Sequence, residues 1–216
     1  MMNRNQISAF LALSVLYWMG LLALRGMALT WDMLVPFGTV VGAVSMTLVV
    51  FDAWAWKLPF FRGWLIKRPN LNGTWKTELQ SNWIDPGTGN TIPPIGCYTV
   101  IRQTASLLSI RLVTAESRSE SVSAGIEVCP DGTFEVNCSY RNKPKALYRS
   151  RSEVHYGAMI LAAESANPSR LDGEYWTDRK TSGSLVLTDR KSKVVLTFEE
   201  AQALFKEPEP ALIVPD

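Results

Sequence analysis

Two long apolar runs near the N-terminus constrain this chain more than any other feature. They are ISAFLALSVLYWMGLLAL (7–24) and MLVPFGTVVGAVSMTLVVFDAWAW (33–56), separated by the short polar segment RGMALTWD (25–32). An α-helix of roughly 20 apolar residues crosses the hydrocarbon core of a bilayer. No clean small-x-small site follows the first run, which argues against a cleaved signal peptide. We therefore predict a transmembrane hairpin with an interfacial linker over residues 1–68.

Positive charge on the flanks predicts the orientation of this hairpin. Arg4 precedes the first run, Arg25 lies between the two runs, and the cations after the second run are Lys57, Arg62, Lys67 and Arg68. Basic residues concentrate on the cytoplasmic side of membrane proteins. We expect a multi-pass protein of the bacterial inner membrane, with both termini and the following domain in the cytoplasm.

Two features of the second run bear on assembly. Gly38 and Gly42 have the small-xxx-small spacing that lets membrane helices approach closely, which favours association between subunits. Asp52 lies near the cytoplasmic end beside Trp54 and Trp56, a pattern typical of a membrane interface. The alternative for Asp52 is a carboxylate that faces a helix bundle or a water path.

Beyond Gly73 the chain alternates polar and apolar residues, as half-buried strands do. Short links join the eight segments TWKTELQSN, CYTVIRQT, LLSIRLVTAE, SVSAGIEV, TFEVNCSYR, SEVHYGAMILAAE, RLDGEYWTD and GSLVLT. This order predicts an eight-stranded up-and-down antiparallel β-barrel over residues 69–206. Thr197 and Glu200 have capping-box spacing, which predicts a short C-terminal helix over 197–206. The fold class is thus an α + β membrane protein, with a flexible tail over 207–216.

The segment LNGTWKTELQSN (71–82) resembles the first strand of avidin and lipocalin-type barrels, in which a Gly-x-Trp closes one end. Together with the apolar hairpin, the chain resembles the two-transmembrane, β-strand-rich effectors of bacterial cyclic-oligonucleotide anti-phage signalling (CBASS). The resemblance implies that the barrel senses a cyclic dinucleotide made by a partner nucleotidyltransferase. It further implies homo-oligomerisation on binding and disruption of the inner membrane, without direct DNA or RNA binding.

The residues themselves predict a ligand site at the barrel end opposite Trp75. The connecting segments at that distal end are rich in cations, whereas the connections at the Trp75 end offer only Arg170. Arginine donates paired hydrogen bonds to phosphate oxygens, and aromatic rings stack on bases. The predicted interior residues are Tyr98, Tyr140, Tyr156, Thr177 and Arg179, and the remaining predicted ligand-binding residues are Arg118, Arg141, Arg151 and Lys180.

Catalytic and metal signatures are missing from the sequence. The three cysteines show no ligand spacing, and His155 is the only histidine, with no Ser-His-Asp arrangement or phosphate-binding glycine loop. We predict no enzyme, no catalytic residue, no metal site and no cofactor. Two alternatives to the sensor remain open: a membrane-anchored, lipocalin-like carrier of an apolar small molecule, and a structural anchor whose barrel is packed solid.

Overall fold

The computed structural model describes residues 4–26, 31–61 and 66–206, so the predicted tail over 207–216 lies outside the described residues. It contains two compact units. The first comprises Met1–Pro59 with Thr104–Ser106, and the second comprises Phe60–Gln103 with Leu107–Asp216.

The first unit contains two helices, α1 (Arg4–Leu24) and α2 (Trp31–Ala53). The prediction of two helices is confirmed, although α2 ends three residues before the predicted end and a short 3-10 turn follows over Ala55–Lys57. Among the described residues, no helix combines the length and the apolar content needed to cross a bilayer. The membrane-spanning role of the helices stays a prediction.

The second unit is a closed β-barrel, as predicted. Its strands are β1 (Gly73–Ser81), β2 (Ile95–Gln103), β3 (Leu108–Val113), β4 (Ser117–Val128), β5 (Phe134–Pro144), β6 (His155–Ala163), β7 (Leu171–Thr177) and β8 (Ser182–Lys191). Each strand pairs antiparallel with the next in sequence, and β8 pairs with β1. β4 begins four residues before the predicted strand, because its first inward-facing residues are the polar Ser117 and Ser119, which give no apolar alternation in the sequence.

Inward-facing side chains fill the barrel. Alternate residues of a strand point to one face, and in β1 the inward-facing residues are Trp75, Thr77, Leu79 and Ser81. Three inward glycines lie opposite large residues of a neighbouring strand and leave room for them. The cross-strand pairs are Tyr140 with Gly157, Leu161 with Gly173, and Tyr175 with Gly183.

The Gly-Thr-Trp segment closes one end of the barrel. Trp75 is fully buried, and its indole Nε1 donates to the carbonyl of Leu71 at 2.9 Å. Gly73 has φ of 140°, and a Cβ there would lie 2.3 Å from the carbonyl oxygen of Lys191. Only glycine adopts this conformation at such a close approach. The side chain of Gln103 then ties the preceding residues to β2, since it accepts from the Leu71 N–H at 2.8 Å.

Helix α3 (Phe198–Phe205) begins at the predicted capping box. The Thr197 hydroxyl accepts from the Glu200 N–H at 3.1 Å, and the Glu200 carboxylate accepts from the Thr197 N–H. The helix packs on the outer wall, where the ring of Tyr98 lies 5.3 Å from that of Phe205 and 5.5 Å from that of Phe198. Ala201 is fully buried in the same contact.

Candidate functional site

Two of the predicted interior tyrosines face outward. In β2 the register pairs Trp75 with Thr99 and Thr77 with Cys97, so the odd-numbered residues point inward and Tyr98 points out to α3. In β6 the inward residue is His155, which is 7% exposed, whereas Tyr156 is 53% exposed. The prediction of an interior position was wrong for Tyr98 and Tyr156, because an aromatic side chain can also be buried by a helix or remain on the surface.

Arg118 and Arg141 also point away from the interior, although both were predicted at the mouth. Their neighbours Ser119 and Asn142 face inward and are joined by a 2.9 Å hydrogen bond. Arg118 instead lies 3.6 Å from the carboxylate of Glu120 on the outer wall. The Nε of Arg141 is buried and has no hydrogen-bond partner among the described residues.

Arg151 and Lys180 lie in the connections at the distal end. Arg151 forms an ion pair with Glu116, and its guanidinium carbon lies 4.9 Å from the ring centre of Tyr148. Lys180 occupies the turn between β7 and β8 with φ of 61°, and its N–H donates to the Thr177 carbonyl at 3.1 Å. Both are exposed and could reach a ligand only from the rim.

Five residues come together at the distal mouth, and we call them the mouth cluster: Tyr140, His155, Tyr175, Thr177 and Arg179. Tyr140 and Tyr175 are buried and belong to the core, so they form the floor of the mouth. The register aligns Tyr140, Gly157 and Thr177 in one row and Tyr175, Gly183 and Ser81 in another. Sequence reasoning found Tyr140, Thr177 and Arg179 but missed His155 and Tyr175.

Arg179 is held in place at this mouth. Its Nη1 donates to the Ser152 hydroxyl at 3.1 Å, and its Nη2 lies 3.4 Å from the Nε2 of His155. The His155 Nδ1 lies 3.0 Å from the backbone carbonyl of Glu153. Arg179 itself is exposed, so the cation is fixed at one side and open to solvent at the other.

The protonation states at the mouth follow from burial. Desolvation raises the pKa of Tyr140, an effect reinforced by Tyr175 and opposed by the charge of Arg179. Desolvation also raises the pKa of Tyr175, against a hydrogen bond to Ser81. It lowers the pKa of His155 against the opposing hydrogen bond to the Glu153 carbonyl, and the charge of Arg179 lowers that pKa further. At neutral pH the mouth therefore has two neutral phenols, a neutral imidazole and a fixed guanidinium.

Comparison with known proteins connects this arrangement to a receptor family. The family model described as "Cap15, cyclic dinucleotide receptor domain" matches residues 66–189, more than half of the chain. The chain belongs to this family. It is also similar to CD-NTase-associated protein 15 of Staphylococcus schleiferi, with 25% identity over 141 residues, which cover 65% of this chain and 71% of that protein. The matched residues contain the whole mouth cluster.

A basic cleft lies on the outer wall beside α3. It measures about 320 Å³ and has an apolar floor that includes Val113 and Phe198. Its cationic lining residues are Arg118, Lys143, Lys145 and Arg149. Three of these cations already have carboxylate partners: Arg118 and Lys143 both lie beside Glu120, and Lys145 lies 3.3 Å from Glu199.

The filled interior of the barrel bears on the two alternative functions, the carrier and the structural anchor. A carrier of apolar molecules requires an open lumen, whereas the interior here is occupied by buried residues such as Trp75, Ile101 and Leu161. A filled barrel is what the structural-anchor alternative predicts, and the match to a receptor family is the observation that opposes that alternative.

Within residues 4–26, 31–61 and 66–206, no three His, Cys, Asp or Glu side chains are grouped so that they could hold a metal ion.

Proposed function

We propose that the barrel binds a cyclic dinucleotide at the mouth cluster and that the chain acts as a CBASS effector. The carrying observation is the fixed guanidinium of Arg179 beside two buried tyrosines, in a chain of the cyclic dinucleotide receptor family. Because the barrel is filled, the ligand lies across the mouth and does not enter the lumen. Arg179 then contacts a phosphate, and the tyrosine floor supports the bases.

The ligand has to supply enough free energy to switch an effector. To move the ratio of active to inactive effector from about 1:99 to 99:1, the ligand must bind the active state roughly 5.5 kcal/mol more tightly than the inactive state. A charge-assisted hydrogen bond contributes about 1.5–3 kcal/mol, and one stacked base contributes about 1–3 kcal/mol. Two phosphates and two bases can together provide this difference in binding free energy. This holds even when part of the free energy is spent on ordering the side chains at the rim of the mouth.

The binding test is calorimetry on the purified full chain in detergent. The probes are cyclic dinucleotides with purine–purine, purine–pyrimidine and pyrimidine–pyrimidine base combinations, with linear dinucleotides as the control. We expect saturable binding of at least one cyclic compound. Arg179→Ala should lower the affinity by about 1.5–3 kcal/mol, or roughly tenfold to 150-fold.

Two matched arginine variants separate the mouth from other cationic surfaces. Arg170→Ala removes an arginine that is paired with Asp172 at the opposite barrel end and should leave the affinity unchanged. Arg118→Ala removes a cation of the cleft beside α3 and should also have little effect. Full affinity in Arg179→Ala, or a larger loss in Arg118→Ala, would exclude the mouth as the binding site.

We further propose that the apolar hairpin anchors the barrel on the cytoplasmic face of the bacterial inner membrane. A partner nucleotidyltransferase supplies the ligand there, and ligand-driven oligomerisation concentrates the helices and disrupts the bilayer. The support is the pair of apolar runs with cations after the second of them. Release of the protein from membranes by carbonate would refute the anchoring role of the hairpin. An oligomer size that does not change with ligand would refute ligand-driven oligomerisation.

A further inference from the structure

Two contacts determine the tautomer of His155. A guanidinium can only donate hydrogen bonds, and a backbone carbonyl can only accept them. The Nε2 atom, which faces Arg179 Nη2 at 3.4 Å, must therefore be the unprotonated acceptor. The Nδ1 atom, which faces the carbonyl of Glu153 at 3.0 Å, must carry the proton. The imidazole is neutral and links the backbone that precedes β6 to the arginine of the β7–β8 turn.

We propose that His155 is a positioning residue that, as the neutral Nδ1–H tautomer, holds the Arg179 guanidinium at the barrel mouth to receive a ligand phosphate. The phosphate contact rests on the function proposed above. A guanidinium has five N–H donors, and the contacts with Ser152 and His155 use one from each Nη atom. A long side chain fixed before binding loses less conformational freedom on binding, which strengthens the affinity.

The electrostatic surroundings of His155 support this role. The β7–β8 turn provides the charges of Arg179 and Asp178, which act in opposite directions on the ring. From β5, the residue opposite is the uncharged Asn142. Burial disfavours the imidazolium, and a protonated ring could not accept from a guanidinium. Acidification through the lowered pKa of His155 therefore releases Arg179 from the ring.

The tautomer can be tested without any ligand. His155 is the only histidine in the chain, so a full chain with ¹⁵N-labelled histidine gives one imidazole spectrum that needs no assignment. We expect a proton on Nδ1 and an unprotonated Nε2 at neutral pH. In Arg179→Ala the Nε2 resonance should shift and the pKa of His155 should move up toward its ordinary value. A spectrum with the proton on Nε2, or one unaffected by Arg179→Ala, overturns the proposal.

The positioning role is tested with the cyclic dinucleotide that binds most tightly in the calorimetric panel. His155→Leu should weaken binding about three- to tenfold, the effect expected for freeing one long side chain. His155→Gln provides an amide oxygen that can accept from Arg179 and should stay within about twofold of the parent. In an Arg179→Ala background, His155→Leu should have no additional effect, because its influence passes through that arginine.

The outcomes separate this proposal from the function on which it rests. If cyclic dinucleotides bind but His155→Leu and His155→Gln match the parent, the positioning role is wrong and the binding function stands. An equal loss from His155→Leu with or without Arg179 assigns the histidine to general folding and also refutes positioning. If no cyclic dinucleotide binds, both the binding function and the positioning of Arg179 for a phosphate are refuted. The ¹⁵N spectrum still decides the tautomer of His155 independently.

Discussion

Replacing Gly157 by alanine should displace the tyrosine floor of the mouth. A Cβ at this position would lie 2.5 Å from the Tyr140 hydroxyl oxygen and 2.5 Å from the backbone carbonyl oxygen of Trp176. Each contact is about 1 Å closer than van der Waals separation allows, and the carbonyl belongs to a paired strand that cannot turn away. We expect about 2–3 kcal/mol of destabilisation, the upper part of the range for an overpacked core. This free energy corresponds to a melting temperature lower by roughly 5–10 °C.

The assay is thermal unfolding of the full chain followed by near-ultraviolet circular dichroism, which reports the tyrosine environment. Gly125→Ala is the matched control, because a Cβ there meets no heavy atom within 4 Å. It should be neutral or slightly stabilising. Cyclic dinucleotide affinity should fall in Gly157→Ala and stay unchanged in Gly125→Ala. If both variants melt within about 1 °C of the parent, the close packing of Tyr140 on Gly157 is not a constraint on the barrel and the reasoning fails.

Three further predictions concern the helix cap, the thiols and the first unit. Thr197→Ala should cost about 1 kcal/mol in urea unfolding, while Thr197→Ser retains the capping hydroxyl and should stay close to the parent. Burial raises the pKa of the Cys97 and Cys138 thiols to about 12. Alkylation at pH 8 should therefore modify the partly exposed Cys129 first. Rapid labelling of all three cysteines would contradict the burial of Cys97 and Cys138. Gly42→Leu should leave ligand affinity intact, because Gly42 is outside the barrel. It should weaken dye entry into cells that also express the partner nucleotidyltransferase, because a bulky side chain keeps membrane helices apart. Unchanged dye entry would show that this helix face is not the assembly surface.

The barrel could be predicted from sequence because strand period and turn chemistry are local signals. The mouth could be predicted only in part, since the face on which a side chain lies depends on cross-strand register. In β6 both alternating sets contain large apolar residues, Met159 and Leu161 on one and Ile160 on the other. Sequence therefore could not decide between His155 and Tyr156 for the interior, and pairing with β5 and β7 decided it.

The contact between Arg179 and His155 lay beyond sequence reasoning for a different reason. The two residues are 24 positions apart, and they meet because the turn after β7 folds back beside the start of β6. Sequence also could not show that Arg118 and Arg141 point away from the barrel interior, because a cluster of cations does not reveal the face on which each side chain lies. Glu120 lies two residues from Arg118 on the same strand and shares its face, whereas the β3–β4 register is needed to bring Arg111 to the same carboxylate.

The closure of the sheet between β1 and β8 limits how two copies of this chain can associate. A free strand edge recruits another chain through unpaired backbone donors and acceptors. In the described barrel every strand has a neighbour on both sides, but β4 pairs with β3 only over Arg118–Glu120, so the part of β4 beyond Ser121 keeps an edge without a partner strand. Elsewhere, contacts between barrels have to use side chains, such as those of the exposed Tyr156 and Trp176 on the outer wall. Surface substitutions can then tune association without altering the ladder that holds the fold together.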